Sequence, residues 1–549
     1  MDDYTFSQCQ YINELINQGK ESEARDVLIQ LLDYLASNDQ SYTPLINALI
    51  REVGLYPYMD VDSSSWSDAF ACNAFKVDVG LAEEKPLHRE QYRLLKALLD
   101  NRDIAVSAPT SFGKSFVVDA FIKIKQPQNV MIIVPTIALT DETRRRIYKK
   151  FSQQYNIITT TDAELADKNI FIFPQERAIH YVDKIDSLDI LIIDEFYKSS
   201  KLFEKERAAN LIKAIIELGH KAKQRYYLAP NISRIEDNPF TKDMEFMPLD
   251  FKTVFLSVHN LYEDIQTDNE KKKEVFLDLN KRLEGKTLIY AASYANISAL
   301  TNFLLADSKE KKSDLLNDFS LWLGRNYDPG WALPLLIKRG IGIHNGKLHR
   351  SLSQVQVKLF EENSGLDRLI STSSIIEGVN TSAENVIVWA TTGRGLNFTN
   401  FSYKNLIGRA GRMFKHFVGN IYVLAKKPKD TETQLDIPFP EEILGTIDKE
   451  RYGKELTRDQ VAKINEYDQE MEHIMGDIYY EYKSDHVLQS QDSGLIKSIA
   501  TKLHSKPDSW KCLQWLIITI QKSGILHCIK YCICNQEIGR QVTVNISHL

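Results

Sequence analysis

Two short strings in this chain carry residue types that could do chemistry together. The first, Ala108-Pro-Thr-Ser-Phe-Gly-Lys-Ser115, follows the apolar run Ile104-Ala-Val106 and opens a helix-like stretch, Ser115 to Ile122. Gly113 lets the backbone turn tightly and present N–H groups to an anion, and the helix N-terminus adds a favourable dipole. Lys114 supplies a mobile positive charge for terminal phosphates, and Ser115 a hydroxyl for magnesium; Thr110, Ser111 and Phe112 complete the cradle. The second string is Leu188-Asp-Ile-Leu-Ile-Ile-Asp-Glu195. Its apolar run suits a strand covered on both faces, and it ends in two adjacent carboxylates. Asp194 is placed to hold magnesium, and Glu195 to polarise an attacking water. Either string alone also fits a solvated turn. Together they describe a site for hydrolysing a nucleoside triphosphate, with ATP and Mg2+ as the expected cofactors.

Further strings follow in order: Val134-Pro-Thr-Ile-Ala-Leu139, Phe173-Pro-Gln-Glu-Arg177, Gly342-Ile-His-Asn-Gly346, Ser371-Thr-Ser-Ser-Ile-Ile-Glu-Gly-Val-Asn380 and Asn405-Leu-Ile-Gly-Arg-Ala-Gly-Arg412. With Asp194-Glu195-Phe196-Tyr197 as a variant box, the set resembles the superfamily 2 DEAD/DEAH-box helicases of the Ski type, over residues 85 to 425. Among these it is most similar to helicase subunits of bacterial anti-phage defence systems such as Hachiman. The resemblance implies that Gln91 reads adenine and that Gly378 joins the nucleotide site. It implies that Arg409 and Arg412 reach the terminal phosphate from a second lobe. Such an arginine finger is worth on the order of 10³–10⁵ in turnover. It also implies that Pro135, Thr136, Arg177 and Thr372 touch nucleic-acid backbone. The basic run Arg144-Arg-Arg-Ile-Tyr-Lys-Lys150 reads either as part of that surface, with Arg144 in contact, or as a solvated helix face. Four departures stand out: Ala108 in place of a glycine, Asn405 in place of a glutamine, Leu228-Ala-Pro-Asn231 in place of Ser-Ala-Thr, and Phe196-Tyr197 in the box.

The elements that must position these residues alternate as in a parallel sheet. The expected fold class is α/β, with two tandem RecA-like parallel-sheet lobes flanked by helical N- and C-terminal regions. The expected layout is a helical region at 1–80, an ATP-binding lobe at 81–250, a second lobe at 251–430 and a mainly helical region at 431–549. Leu28, Leu31, Leu32 and Leu35 have the spacing of one buried helical face. In the second lobe, Thr287–Tyr290, Leu369–Ser371, Asn385–Trp389 and Gly419–Leu424 read as buried strands. Val386–Ala390 and Phe398–Tyr403 flank the turn Gly393-Arg-Gly395, which reads as a hairpin. Phe398 or Phe401 would then either wedge between bases or pack beneath the loop. At the C-terminal end, Trp510, Leu513, Leu516, Ile517 and Ile520 share a helical face. Cys512, Cys528, Cys532 and Cys534, beside His527, read as free thiols or, less simply, a zinc site.

The 549 residues suffice for three or four domains. Six cysteines make no disulfide scaffold, the acidic start Met1-Asp-Asp-Tyr4 carries no signal-peptide pattern, and no apolar run is long enough to span a bilayer. A cytoplasmic protein without a membrane partner is expected. The net charge of −6 does not exclude nucleic acid, because such proteins grip backbone through a local groove. The expected function is an ATP-dependent helicase or translocase, on DNA rather than RNA, acting in anti-phage defence with a nuclease or other effector partner. The alternatives are an ATPase sensor that clamps nucleic acid without processive unwinding, and an RNA helicase.

Overall fold

The computed structural model describes residues 2–505 apart from 329, 379–382, 394–395, 414–415, 448, 453–455 and 485–492. The chain opens with four helices, α1 (Asp3–Asn17), α2 (Glu21–Ser37), α3 (Pro44–Glu52) and α4 (Trp66–Ala74). The Asp2 carboxylate caps α1 by accepting from the Thr5 N–H, and Ser65 caps α4 through Asp68. In α2 the leucines at 28, 31, 32 and 35 are all buried, on the face their spacing indicates.

The first sheet has seven parallel strands: β1 (Ile104–Ser107), β2 (Asn129–Ile133), β3 (Asn156–Ile158), β4 (Asn169–Phe173), β5 (Ile190–Ile193), β6 (Arg225–Ala229) and β7 (Glu245–Pro248). Their order is β7-β1-β6-β5-β2-β4-β3. Every residue of β1 and β5 is buried, as a strand covered by helices on both faces requires. Three helices matter for the site: α5 (Arg89–Leu99), α6 (Lys114–Lys125) and α7 (Ile137–Phe151). Only β6 separates β1 from β5, so the loop leaving β1 and the acids ending β5 emerge close together at the carboxyl edge. That edge is where open parallel sheets bind ligands.

The second sheet has six parallel strands: β8 (Phe255–Asn260), β9 (Thr287–Tyr290), β10 (Ile341–His344), β11 (Arg368–Ser371), β12 (Asn385–Val388) and β13 (Val418–Val423). Their order is β8-β13-β12-β9-β11-β10, over a hydrophobic core of its own. The strands read from apolar runs at 287, 369, 385 and 419 are all present.

Phe398–Tyr403 is not the arm of a hairpin. Helix α8 (Asn400–Ile407) begins inside it, with the Thr399 hydroxyl accepting from the Ser402 N–H at 3.2 Å. The N-cap threonine, and the burial of Phe401, Tyr403 and Leu406, override the aromatic strand signal. The hairpin is reduced to Thr392–Gly393 paired with Leu396–Asn397. Phe401 is buried against Tyr197 and Phe203, and Phe398 packs on Tyr290, so neither stands out as a wedge.

Residues 206–216, inside the stretch read as the first lobe, group with residues from 438 onward as a second compact unit. Among the described residues this unit contains helices Arg458–Met475, Ile478–Ser484 and Ser493–Ser505, around Tyr467, Met471, Tyr479, Ile496 and Ala500. The buried Asp468 carboxylate accepts from the Tyr479 hydroxyl and from Lys483, each at 2.6 Å. The C-terminal cysteines, His527 and the face from Trp510 to Ile520 lie outside the described residues.

Gly419 in β13 sits directly beneath the turn that follows α8. A Cβ there would lie 2.6 Å from the Ala410 carbonyl carbon and 2.8 Å from the Gly411 nitrogen. Backbone cannot step aside as a flexible side chain can. The Gly419→Ala variant is expected to lose about 1–3 kcal/mol of stability, read as a lower urea midpoint with an unchanged slope.

Candidate nucleotide site

The loop after β1 makes one tight turn at Thr110–Phe112 and then passes through Gly113 at φ +78°, a left-handed conformation that L side chains resist. A Cβ at Gly113 would also lie 2.7 Å from Gln91 Nε2. The carbonyls of the loop are held from behind. Gln91 Nε2 donates to Phe112 O at 2.8 Å and to Gly113 O at 3.3 Å, and His88 Nε2 donates to Phe112 O at 3.1 Å. Gln91 Oε1 accepts from the His88 N–H, closing a capping box at the start of α5. Both amide hydrogens of Gln91 are therefore spent on the loop. In this structure the residue expected to read adenine braces the loop, because its helix turns the amide toward it.

Lys114 Nζ donates to Ala108 O at 2.9 Å and Pro109 O at 3.4 Å, while Ser115 is exposed on the first turn of α6. Asp194 and Glu195 follow β5. Glu195 takes φ +55°, uncommon for a residue with a side chain, and its N–H donates to Asp194 Oδ1 at 3.0 Å. Burial pushes both carboxyls above the usual range; Asp194 raises Glu195 further, and Lys114 opposes both shifts. Burial also lowers Lys114, which Glu195 and Asp194 hold up.

Arg409, just past α8 in the second lobe, completes the charge set. Its Nη2 donates to Ile376 O at 2.6 Å, within the helix Ser374–Gly378 that carries Gly378. Burial lowers the Arg409 pKa and Glu195 supports its charge. The structure thus brings Lys114, Asp194, Glu195 and Arg409 into one field. Arg412 is exposed at the next turn, its backbone paired with His416, and the charges that act on Lys114 are those of Glu195, Asp194 and Arg409. Both arginines were expected to reach the terminal phosphate; here Arg409 faces the acids, while Arg412, one turn on past Gly411, is exposed.

The lobes are joined beside these residues. Thr110 Oγ1 donates to Gly408 O at 2.8 Å, and a Cβ at Gly408 would collide with that hydroxyl. Asn231 Nδ2 donates to Asn405 Oδ1 at 2.7 Å, and the neighbouring Ile232 N–H donates to Ser107 Oγ at 2.8 Å. Arg350 of the second lobe donates to Ile137 O, at the start of α7, at 2.7 Å. Sequence reading treated Asn231 and Asn405 only as departures from a pattern and missed Ser107 and His88. The spacing His88-x-x-Gln91 was a legible capping signal.

Of the residues expected to face nucleic acid, Pro135 and Thr136 lie at the carboxyl end of β2, and the Thr136 hydroxyl caps α7 through the Leu139 N–H. Arg177 is exposed beyond β4 and donates to Thr159 O at 3.1 Å. Thr372 follows β11 and is buried, its hydroxyl 3.4 Å from Ser374 Oγ. The basic run in α7 is largely consumed within the protein. Arg144 and Arg145 pair with Asp141, and Arg146 and Lys150 pair with the buried Asp119 of α6. Arg144, half-buried, and Arg145, exposed, stay beside Asp141, while Arg146 and Lys150 are turned onto Asp119.

Hard oxygen donors suit magnesium. Ser115 Oγ and the Asp194 carboxylate provide them, and two crowded carboxylates raised by burial are a fit for a divalent charge. Among the described residues no cluster of three or more His, Cys, Asp or Glu side chains forms a separate metal site, and no helix is long and apolar enough to cross a membrane.

Comparisons with known proteins bear on two stretches. Residues 1–69 match the family described as the anti-bacteriophage protein B N-terminal domain, and residues 88–229 match the DEAD/DEAH box helicase family. Anti-bacteriophage protein B of Escherichia coli (strain K12) is 29% identical over 443 residues, 78% of this chain and 60% of that protein. Human helicase POLQ-like is 21% identical over 399 residues, 62% of this chain and 35% of that protein. The chain therefore spans only part of the length of both relatives. Residues 1–69 are thus similar to the anti-bacteriophage protein B N-terminal domain and residues 88–229 to the DEAD/DEAH box helicase domain, and the two parallel sheets agree with the α/β fold expected of such a chain.

Proposed function

We propose that this protein is an ATP-dependent nucleic-acid helicase or translocase, acting on DNA in defence against bacteriophage. The observation that carries the reading is the convergence of Arg409 from one lobe on Lys114, Asp194 and Glu195 from the other. ATP and Mg2+ bind at the loop Thr110–Ser115, with the metal held by Ser115 and Asp194. Lys114 neutralises the terminal phosphates, Glu195 orients the attacking water and Arg409 stabilises the transferring charge. Nucleic acid lies along the carboxyl edges of the two sheets, across Thr136, Arg177 and Thr372. Closure of the lobes on ATP and release after hydrolysis then move the strand. The resemblance to anti-bacteriophage protein B supports the defence role, and a nuclease or other effector protein is the proposed partner.

A second reading has its own support. Of the two readings of the aromatics, wedge or packing, the second fits: Phe401 lies against Tyr197 and Phe203, and Phe398 against Tyr290. That favours a nucleic-acid-triggered ATPase that clamps its ligand without processive unwinding. A duplex with a single-stranded tail separates the two: the motor opens it with ATP, and the clamp only binds it. Parallel assays with single-stranded DNA, duplex DNA and RNA test the choice of DNA. Contacts dominated by backbone phosphates should weaken steeply between 50 and 200 mM salt, by roughly 10³-fold for six contacts.

The two arginines should separate in steady-state ATPase. Arg409→Ala is expected to cost on the order of 10³ in turnover, whereas the Arg412→Ala variant keeps most of it. Equal losses would refute the assignment to Arg409.

Glu195→Gln should lower turnover by about 10²–10⁴ and, at the same time, raise the melting temperature. A carboxyl raised by burial favours the folded state while it is protonated. That contribution is present below the unfolded carboxyl pKa of about 4.3 and is lost as pH rises through the higher folded value. The variant should therefore melt above the parent at pH 7–8, with the gap closing as pH falls toward about 4.

A further inference from the structure

The N-terminal helices do more than pack beside the first lobe. Helix α2 lies against β8 and β13 of the second lobe. Two lines of contact then run from the N-terminal residues to the loop at Thr110–Gly113, and both pass through Phe251–Thr253, the segment joining the two sheets. In the first, the buried Tyr58 hydroxyl donates to Thr253 O at 2.6 Å, and the Thr253 hydroxyl donates to Ser111 O at 2.9 Å. In the second, the Arg25 guanidinium lies 4.4 Å from the centre of the Phe251 ring. Phe251 stacks on His88 at 4.3 Å and 12°, and His88 holds Phe112 O. His88 Nδ1 accepts from the Gln91 N–H, so the ring proton sits on Nε2, facing that carbonyl.

The consequence follows from peptide geometry. A loop that presents successive N–H groups to phosphate must turn its carbonyls the other way, and each buried carbonyl needs a donor. Thr253 serves Ser111 O, His88 and Gln91 serve Phe112 O, and Gln91 also serves Gly113 O. Thr253 is the donor that the N-terminal region itself positions.

We infer that residues 1–80 form a brace on the ATP site, in which Tyr58 is a positioning residue that sets the phosphate loop through Thr253. The inference rests on the reading of that loop as an ATP site. Because α2 also touches the second lobe, the brace couples the position of that lobe to the shape of the loop without contact between the N-terminal residues and nucleotide.

The test uses the full chain and a fluorescent ADP analogue, with ATPase measured in parallel. Thr253→Val removes the donor to Ser111 and keeps the shape; Tyr58→Phe removes only the hydroxyl that orients Thr253. Each is expected to weaken nucleotide binding and raise KM for ATP by about three- to tenfold, the range of one hydrogen bond, with kcat at saturating ATP little changed. Thr253→Ser should restore binding, which a general packing defect would not allow. The double variant should bind no more weakly than Thr253→Val, since both changes act on one carbonyl. Wild-type affinity in both single variants, fully additive losses, or failure of serine to rescue would overturn the brace. Should Thr253→Val not fold, Tyr58→Phe decides alone. A parent chain that binds no adenine nucleotide would refute the ATP-site reading itself, whereas a binding parent with unaffected variants refutes only the brace.

Discussion

Two carboxylates held side by side at the end of a buried strand are the constraint on which the rest of this structure depends. Asp194 and Glu195 lose hydration at the carboxyl edge of β5 and repel each other. A charge is tolerated in such a place only where an opposite charge faces it. Lys114 is one such charge, from the loop two strands away, and Arg409 is another, from a different sheet. The site is therefore a property of two lobes together. Each lobe supplies charge that is costly without the other. A group that entered with several negative oxygens and a divalent cation would change that balance at a stroke, and this is how the proposed nucleotide would act on lobe position.

The hydrogen bonds between the lobes lie where this coupling would be felt. Thr110 belongs to the proposed phosphate loop and bonds Gly408, the residue immediately before Arg409. A shift of the loop thus moves the backbone that carries the arginine. Only glycine allows so close an approach at position 408, since a Cβ would displace the threonine hydroxyl. Arg350, reaching Ile137 at the start of α7, ties the lobes a second time near Pro135 and Thr136. The proposed nucleotide and nucleic-acid surfaces would consequently be linked to lobe closure through short stretches of chain, from Gly408 to Arg409 and from Ile137 to Pro135, and no long pathway is required.

Much of the fold was legible in the sequence, for a simple reason. Parallel strands covered on both faces must be continuous apolar runs, and Ile190–Ile193, Thr287–Tyr290 and Asn385–Val388 stand out as such. What was not legible depends on partners distant in the chain. The basic run in α7 reads either as a nucleic-acid surface or as a solvated face, and nothing local shows that Asp119 sits beneath Arg146 and Lys150. Gln91 reads as a base-recognising amide, and only the fold shows α5 aiming it at the loop carbonyls. Phe398–Tyr403 has strand-like composition, but the Thr399 cap and burial of Phe401 select a helix. In each case local pattern gave the residue's chemistry and tertiary packing decided where that chemistry is spent.

The two departures from the helicase pattern illustrate the same point from the other side. Asn231 follows β6 in the first lobe and Asn405 lies in α8 of the second, 174 positions apart in the chain. Singly, each looks like the loss of an expected residue. Together they are donor and acceptor of one 2.7 Å hydrogen bond across the lobes. The Asn405 side chain is almost fully buried, so a lone amide there would lack a partner for its carbonyl, a cost of about 1–3 kcal/mol. Asn231 pays a smaller strain for its part, with φ at +48°, in the region asparagine tolerates best among side-chain-bearing residues. Its neighbour Ile232 is pinned to Ser107 at the end of β1, so the asparagine pair is anchored to the strand from which the phosphate loop springs. The two departures are therefore halves of one polar contact between the lobes, and changing either residue alone would strand the other.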